Sequence, residues 1–405
     1  MREISAVIIS IMFIPVLSKR KIPIGIAICI CAVIMALLGG LGFVDFGSVI
    51  TGTFFDLNKV WQLAVVAEIS IIGVLMKKYG IIDEVLNYLS KVIKSRRLIL
   101  MFIPALIGML VVPGGAIMSV PLVDQLGEKS NLPKPQRAII NLICRHISIH
   151  FMPYATGFLV VSSLAPQISI YKLIGLNCVF AVLYVIVGYF LYIRKIQDDE
   201  ISQNSFKWKD MASLLKYTAP IYVPVILNLI LKVPFYSGML VSLLAVFLLH
   251  PTKAFLTDAL RAFNFNVLYA LIGVFLIQGI IGRMESLTSA LTLIFENPNT
   301  VMLGIIATSL FFGVTTGFQP TALGVILPVL VTLPISGNML LLYCYFAYNW
   351  GFIGYFFSPL HLCQLFTCEY LKVQMTDLYK EYWKFFVSLA AVIVISYYLM
   401  AFFLL

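Results

Sequence analysis

Apolar residues run along this chain in long blocks, separated by short polar stretches. A membrane-spanning helix needs roughly 20 apolar residues. Blocks at 4–17, 22–43, 60–76, 138–164, 173–193, 217–231, 238–249, 267–281, 339–367 and 382–405 predict about ten transmembrane helices. Two further blocks, 98–126 and 301–333, are interrupted by Pro113-Gly114-Gly115 and Thr315-Thr316-Gly317. Amphipathic segments at 81–93 and 285–295 precede them. The pattern predicts an all-α polytopic membrane protein without a soluble domain, whose longest polar stretch, 194–216, is a loop.

The order of elements repeats. Ile71-Ile72-Gly73-Val74 reappears as Leu271-Ile272-Gly273-Val274. Each is followed by a glycine (Gly80, Gly282), an amphipathic helix, a glycine-broken apolar block and a long helix with an internal proline (Pro153, Pro359). Shared order over five elements is a stronger repeat signal than one tetrapeptide. Residues 1–195 form one repeat, 196–216 a cytoplasmic linker and 217–405 the second repeat.

Charge then sets the orientation. Only 11% of residues are charged, against about 25% in a soluble domain. The net charge of +10 reads as cytoplasmic loop lysine and arginine rather than as a nucleic-acid footprint. With the N-terminus outside and both broken blocks turning back as re-entrant hairpins, most of the 28 basic residues fall on one side. A full crossing by either block would destroy that asymmetry. The same arrangement starts the two repeats on opposite sides, which makes the repeat inverted, as in many secondary transporters. The seven cysteines lie in or beside apolar blocks without zinc-like spacing and read as small packing residues.

Candidate chemistry gathers at the breaks. Irregular backbone at membrane depth persists only where protein, water or ligand satisfies it. The first hairpin offers Pro113, Gly114, Gly115, Ala116 and Ser119; the second offers Thr315, Thr316, Gly317, Gln319 and Thr321. Hydroxyls of Ser119, Thr315 and Thr316 are possible Na⁺ ligands, the alternative being that they cap their own helix carbonyls. Arg145 lies inside an apolar block with His146 and His150 at i, i+4 on one helix face, a cationic surface for an anion. The alternative is that Arg145 snorkels to the interface. A two-histidine metal site at 146 and 150 lacks a third ligand nearby, so no metal site is expected. Pro359 should unwind its helix beside Asn349, Ser358 and His361. Glu68 is the one carboxylate deep in a span; it is a candidate proton carrier or else a structural group bonded to a neighbouring helix.

Two hairpins and two broken helices on an inverted repeat resemble the ion transporter superfamily, which includes citrate, dicarboxylate, gluconate and arsenite transporters. Within it, Pro113-Gly114-Gly115-Ala116, Arg145-His146 with Phe151-Met152-Pro153-Tyr154, and Ser358-Pro359-Leu360-His361-Leu362-Cys363 resemble an uncharacterised family of bacterial and archaeal integral membrane proteins. The likeness covers nearly the whole chain. It implies a homodimer with a scaffold domain and an elevator-like transport domain. The paired Ser-Asn-Thr motifs of the dicarboxylate transporters are absent, so neither their Na⁺ sites nor their specificity carry over.

The expected function is secondary active transport of a small organic or inorganic anion, coupled to Na⁺ or H⁺, in the inner (plasma) membrane of a bacterium or archaeon. No resident cofactor and no nucleic-acid partner is expected. One rival is transport of an amphipathic or lipid-linked anion. Another is a membrane-embedded enzyme built on Arg145, His146, His150 and His361, which lacks paired carboxylates or a metal motif; the chain is not expected to be an enzyme.

Overall fold

The computed structural model describes residues 2–110, 116–198 and 207–405. Among the described residues it is entirely helical. The first half comprises α1 (Arg2–Lys19), α2 (Ile24–Gly39), α3 (Phe43–Phe54), α4 (Leu57–Lys78), α5 (Ile81–Val92), α6 (Arg96–Met109), α7 (Ala116–Lys129), α8 (Lys134–His146), α9 (Thr156–Leu164) and α10 (Ile170–Gly188). The second comprises α11 (Trp208–Leu231), α12 (Phe235–Leu249), α13 (Phe255–Arg261), α14 (Phe265–Ile281), α15 (Glu285–Glu296), α16 (Val301–Thr316), α17 (Gln319–Leu330), α18 (Gly337–Phe356), α19 (Leu362–Leu371) and α20 (Met375–Leu404).

Local chemistry explains many boundaries. Asp56 and Ser95 cap α4 and α6 by accepting from the Asn58 and Leu98 amides, as N-cap residues do. Ser336 does the same for α18 through the Met339 amide. Pro133 precedes α8 and Pro135 falls in its first turn, where a missing N–H costs nothing.

Among the described residues, four helices are long and apolar enough to cross a membrane: Leu57–Lys78, Ile170–Ile193, Trp208–Leu231 and Met375–Leu404. A fifth appears if α13 and α14, bent by 49°, count as one. About ten spans were expected, and this measure of length and composition finds four or five. Block 138–164 divides into α8, a 3₁₀ turn (Ile147–His150) and α9, and block 339–367 divides into α18 and α19. Block 22–43 ends early, and a further helix, α3, follows it. Hydropathy registers apolar length but not where the backbone changes direction. Large apolar side chains nonetheless cover the outside: Ile230, Leu248, Phe402 and Phe403 are all more than 65% exposed. A surface of that kind belongs in lipid rather than water. The protein is therefore a helical membrane protein.

The helix pairs answer one another across the two halves. α1 packs on α2 and α11 on α12; α2 packs on α14 and α12 on α4. α6 packs on α7 and lies on α8; α16 packs on α17 and lies on α18. The second arms then cross over, α7 onto α19 and α17 onto α9. Glycines permit the close approaches. A Cβ on Gly108 of α6 would meet the Arg145 carbonyl oxygen of α8 at 2.0 Å. A Cβ on Gly313 of α16 would meet the Gly351 carbonyl oxygen of α18 at 2.9 Å. Small residues at such crossings are the usual device of membrane helices, where dispersion contacts replace the hydrophobic effect. At the end of α4, Lys78 pairs with Asp258 of α13 at 2.6 Å, and Tyr79 donates to the same carboxylate. We read α13 as lying at the membrane surface.

Candidate functional site

Helix ends converge on one cavity of about 290 Å³. α8 ends at Arg145 and His146, and both line it. Ala155 and Thr156 bring the start of α9, and Phe318 and Gln319 the start of α17. His361, Leu362 and Cys363 bring the start of α19. The N-cap residues of these three helices, Ala155, Phe318 and His361, make no side-chain cap hydrogen bond. A helix N-terminus carries roughly half a positive charge. At α17 the second residue is Pro320, which has no N–H, and the Thr321 amide donates to the Phe318 carbonyl oxygen at 3.2 Å, so that start offers the Gln319 amide alone. Gly317 turns the chain between α16 and α17 with φ +61°, a conformation glycine adopts without strain. A Cβ there would meet Leu360 at 2.8 Å, which places the α16–α17 turn against the α18–α19 break.

Arg145 is 4% exposed, so its guanidinium is held inside the protein and does not snorkel to the interface. No Asp or Glu lines the cavity among the described residues. Polar groups come also from Ser70, Ser148, Asn264, Asn266 and Tyr355. Val66, Ile69, Val267, Ala270 and Phe366 supply an apolar wall.

The candidate residues divide. Arg145, His146, Gly317, Gln319 and His361 line the cavity. Gln319 is anchored by donating from Nε2 to the Tyr348 carbonyl oxygen at 2.9 Å. His150 does not share the face of His146. The α-helix stops at His146, and the 3₁₀ turn carries His150 into an aromatic cage of Phe180, Tyr184, Tyr348 and Phe352. Thr315 and Thr316 donate to the Phe311 and Phe312 carbonyls of their own helix, each at 2.6 Å. Ser119 donates to Ala116 at 3.3 Å, and both residues are buried at the start of α7. Thr321 is buried within α17 and away from the cavity.

Asn349 bonds to Asn177 and the Tyr345 carbonyl, joining α18 to α10. Ser358 holds the break after α18 together, donating to Val314 at 2.5 Å and accepting from the Leu360 amide. Glu68 does not line the cavity, although Val66, Ile69 and Ser70 of the same helix do. Its position is on the far side of α4, since two residues along a helix turn the side chain by about 200°. Pro113, Gly114 and Gly115 lie outside the described residues.

Sequence reasoning missed Ser70, Asn264, Asn266 and Tyr355. The two asparagines stood just outside an apolar block and passed as loop, and the serine and tyrosine lay within blocks. Cys363 was read as packing, yet it stands with His146 and His361 in a cluster whose ligand atoms all lie within 4.8 Å of one another.

A cavity ringed by uncapped helix starts and a buried arginine, within a coat of apolar helices, defines a polytopic membrane protein with an internal polar site. The chain belongs to the family described as Protein of unknown function (DUF401), which it matches over residues 4–400. No curated protein matches it in sequence.

Proposed function

We propose that this protein is a secondary transporter of a small anion, coupled to a cation, and that the cavity is its substrate site. The observation that carries the reading is the charge arrangement. The starts of α9 and α19, the Gln319 end of α17 and Arg145 border a space lined by no carboxylate among the described residues. Backbone amides and a planar guanidinium are the groups that bind carboxylates, phosphates and related oxyanions. The volume, about 290 Å³, suits a small molecule.

The packing supports the rest of the proposal. α6–α7 and α16–α17 are the two re-entrant hairpins, and the matching helix pairs of the two halves are the inverted repeats. The hairpins with α8, α9, α18 and α19 form the transport domain, and the remaining early helices of each repeat form the scaffold of a dimer. The resemblance to the ion transporter superfamily points the same way. α2, α4 and α14 also contribute Ile24, Ser70 and Asn266 to the cavity, so the site lies where the two domains meet. The apolar wall favours a second reading, an amphipathic anion whose hydrocarbon part lies along Val66, Ile69 and Phe366.

A thermal-shift screen of the purified protein tests both. Ligands are small carboxylates, phosphates, sugar acids and lipid phosphates, each with and without Na⁺. A ligand at 100 times its Kd stabilises the folded state by about 2.7 kcal/mol. Stabilisation by short-chain anions supports the first reading, and stabilisation confined to lipid phosphates supports the second. Stabilisation by neutral or cationic solutes alone would overturn both.

A further inference from the structure

We propose that His146, His361 and Cys363 form a binding site for a transition-metal ion, one that the zinc ion fits, on the wall of the cavity. Metal binding here needs no assumption about transport.

The case begins with the ring nitrogens. His146 places Nδ1 2.7 Å from the Leu142 carbonyl oxygen, and His361 places Nδ1 3.2 Å from the Phe356 carbonyl oxygen. A carbonyl only accepts, so these contacts favour the proton on Nδ1 and a lone pair on Nε2 in each ring; with His361 in the other tautomer its Nε2–H would instead donate to His146 Nε2. Those two Nε2 atoms lie 3.1 Å apart. Neutral rings in these tautomers set one lone pair against another, and a cation between them relieves the clash. A proton would serve two nitrogens only. A metal ion would also use the Cys363 sulfur, which completes a set of ligand atoms within 4.8 Å of one another.

The dimensions suit zinc. With Zn–N distances of about 2.0–2.1 Å, tetrahedral geometry separates two imidazole nitrogens by about 3.3 Å. The observed separation needs little change; the sulfur needs a rotamer-scale shift to close to about 2.3 Å from the ion. Metal-bound histidines almost always donate their second ring N–H to a carbonyl or carboxylate, which orients the ring, and both rings here do so. All three ligands are buried. The spacing explains why pattern reading missed the site. His361 and Cys363 flank one residue at the α18–α19 break, while His146 comes from the other half of the chain. All three face the cavity, which leaves a fourth position for water or an anion. Tyr355, whose hydroxyl lies 3.2 Å from His146 Nε2, borders that opening.

The test uses the full chain, purified in detergent and stripped with a chelator. Equilibrium dialysis against Zn²⁺ should load one ion per chain. Co²⁺ in its place should give the near-ultraviolet thiolate-to-metal charge-transfer band of one cysteine. Cys363→Ser should remove that band and weaken Zn²⁺ binding at least roughly 100-fold, the upper end of what loss of an outer partner costs. A Cys29→Ser/Cys31→Ser double variant, altered on α2 at residues outside the cluster and the cavity lining, should keep both. Retention of the Co²⁺ band in Cys363→Ser would place the metal on another cysteine and overturn the site. If Cys363→Ser does not fold, His361→Gln and the wild-type Co²⁺ spectrum decide: a wild-type spectrum without a thiolate band overturns the site, as does undiminished Zn²⁺ binding in His361→Gln.

Discussion

His146 Nε2 stands 3.1 Å from His361 Nε2, so a side chain that closes α8 in the first half meets one that opens α19 in the second. His361 would not stand here if α18 continued as an unbroken helix through Ser358-Pro359-Leu360. The break after each helix is what brings the halves together at one point, and the cavity lies beside that point. Substitutions around it therefore report on binding, while substitutions at the helix crossings report on stability.

Arg145→Gln should weaken anion binding by about 10- to 100-fold, the loss of about 1.5–3 kcal/mol expected for a hydrogen bond to a charged group. Arg145→Lys keeps the charge but loses the planar fork, so it should fall between wild type and Arg145→Gln. Calorimetric titration with the best anion from the thermal screen measures both. Equal affinity in wild type and Arg145→Gln would exclude the guanidinium from the site.

Gly108→Ala tests the crossing of α6 over α8. A Cβ placed 2.0 Å from the Arg145 carbonyl oxygen cannot be accommodated without moving backbone. Overpacking of this kind costs about 1–3 kcal/mol. The melting temperature in detergent should drop, and anion affinity should drop with it because Arg145 belongs to the displaced turn. Gly47→Ala, where a Cβ meets nothing within 4 Å, is the control and should leave both unchanged.

How much of this was legible in the sequence depends on the kind of constraint. The break between α16 and α17 was, because Thr315-Thr316-Gly317 interrupts an apolar run and glycine can take the φ of +61° that the turn needs. Arg145 was, because an ionisable residue in an apolar block is conspicuous. His150 was misplaced because i, i+4 reasoning presumes a continuous α-helix, and here the 3₁₀ turn begins at Ile147. Thr315, Thr316 and Ser358 looked like ligands but bond to nearby carbonyls, a choice that composition does not reveal. Ser70 and Asn266 reach the cavity only through tertiary packing of α4 and α14.

The proposed hairpin topology makes an accessibility prediction. Single cysteines replacing Lys91 and Lys94, before α6, should label from the same side as those replacing Lys129 and Lys134, after α7. Arg283 and Ser336, which flank α16–α17 and are both exposed, should label together from the opposite side. A cysteine-free background is needed because Cys178 is exposed. Labelling of the first two pairs from opposite sides would mean that α6 and α7 cross the membrane as one span.

Asp258 gives a pH prediction. The Lys78 ammonium, bonded at 2.6 Å, holds its carboxyl below the usual carboxylate range, with Tyr79 acting in the same direction against partial burial. A depressed folded value means that the stabilisation is fully present above the unfolded value of about 3.9 and is lost as pH falls through the folded value. Asp258→Asn should therefore melt lower than wild type at neutral pH, with the gap closing only below about pH 4. A gap that closes between pH 6 and 8 would assign the effect to another group.

The coupling ion is the prediction that the cavity chemistry constrains from two directions. Hydroxyls of Ser119, Thr315 and Thr316 were the reason to favour Na⁺, and each donates its proton to a carbonyl of its own helix. Donation leaves lone pairs available on Ser119 and Thr315, while Thr316 Oγ1 also accepts from the Phe318 amide at 3.2 Å, so Na⁺ coordination survives as chemistry but gains nothing from preorganised orientation. Glu68 lies off the cavity, so a proton held there has no direct contact with the substrate. His146 and His361 do line it, and their Nε2 atoms, 3.1 Å apart, can share a single proton when no metal is bound. A bound anion beside Arg145 would favour that shared proton by its charge, which is the linkage a proton-coupled carrier needs. The measurement is uptake into liposomes at fixed pH with Na⁺ replaced by choline. If uptake persists and a proton ionophore abolishes it, the coupling ion is a proton, and His361→Gln, by removing one half of the His146–His361 pair, should then uncouple transport from the proton gradient. If choline abolishes uptake and the ionophore does not, Na⁺ is the coupling ion and the hairpin hydroxyls are its ligands.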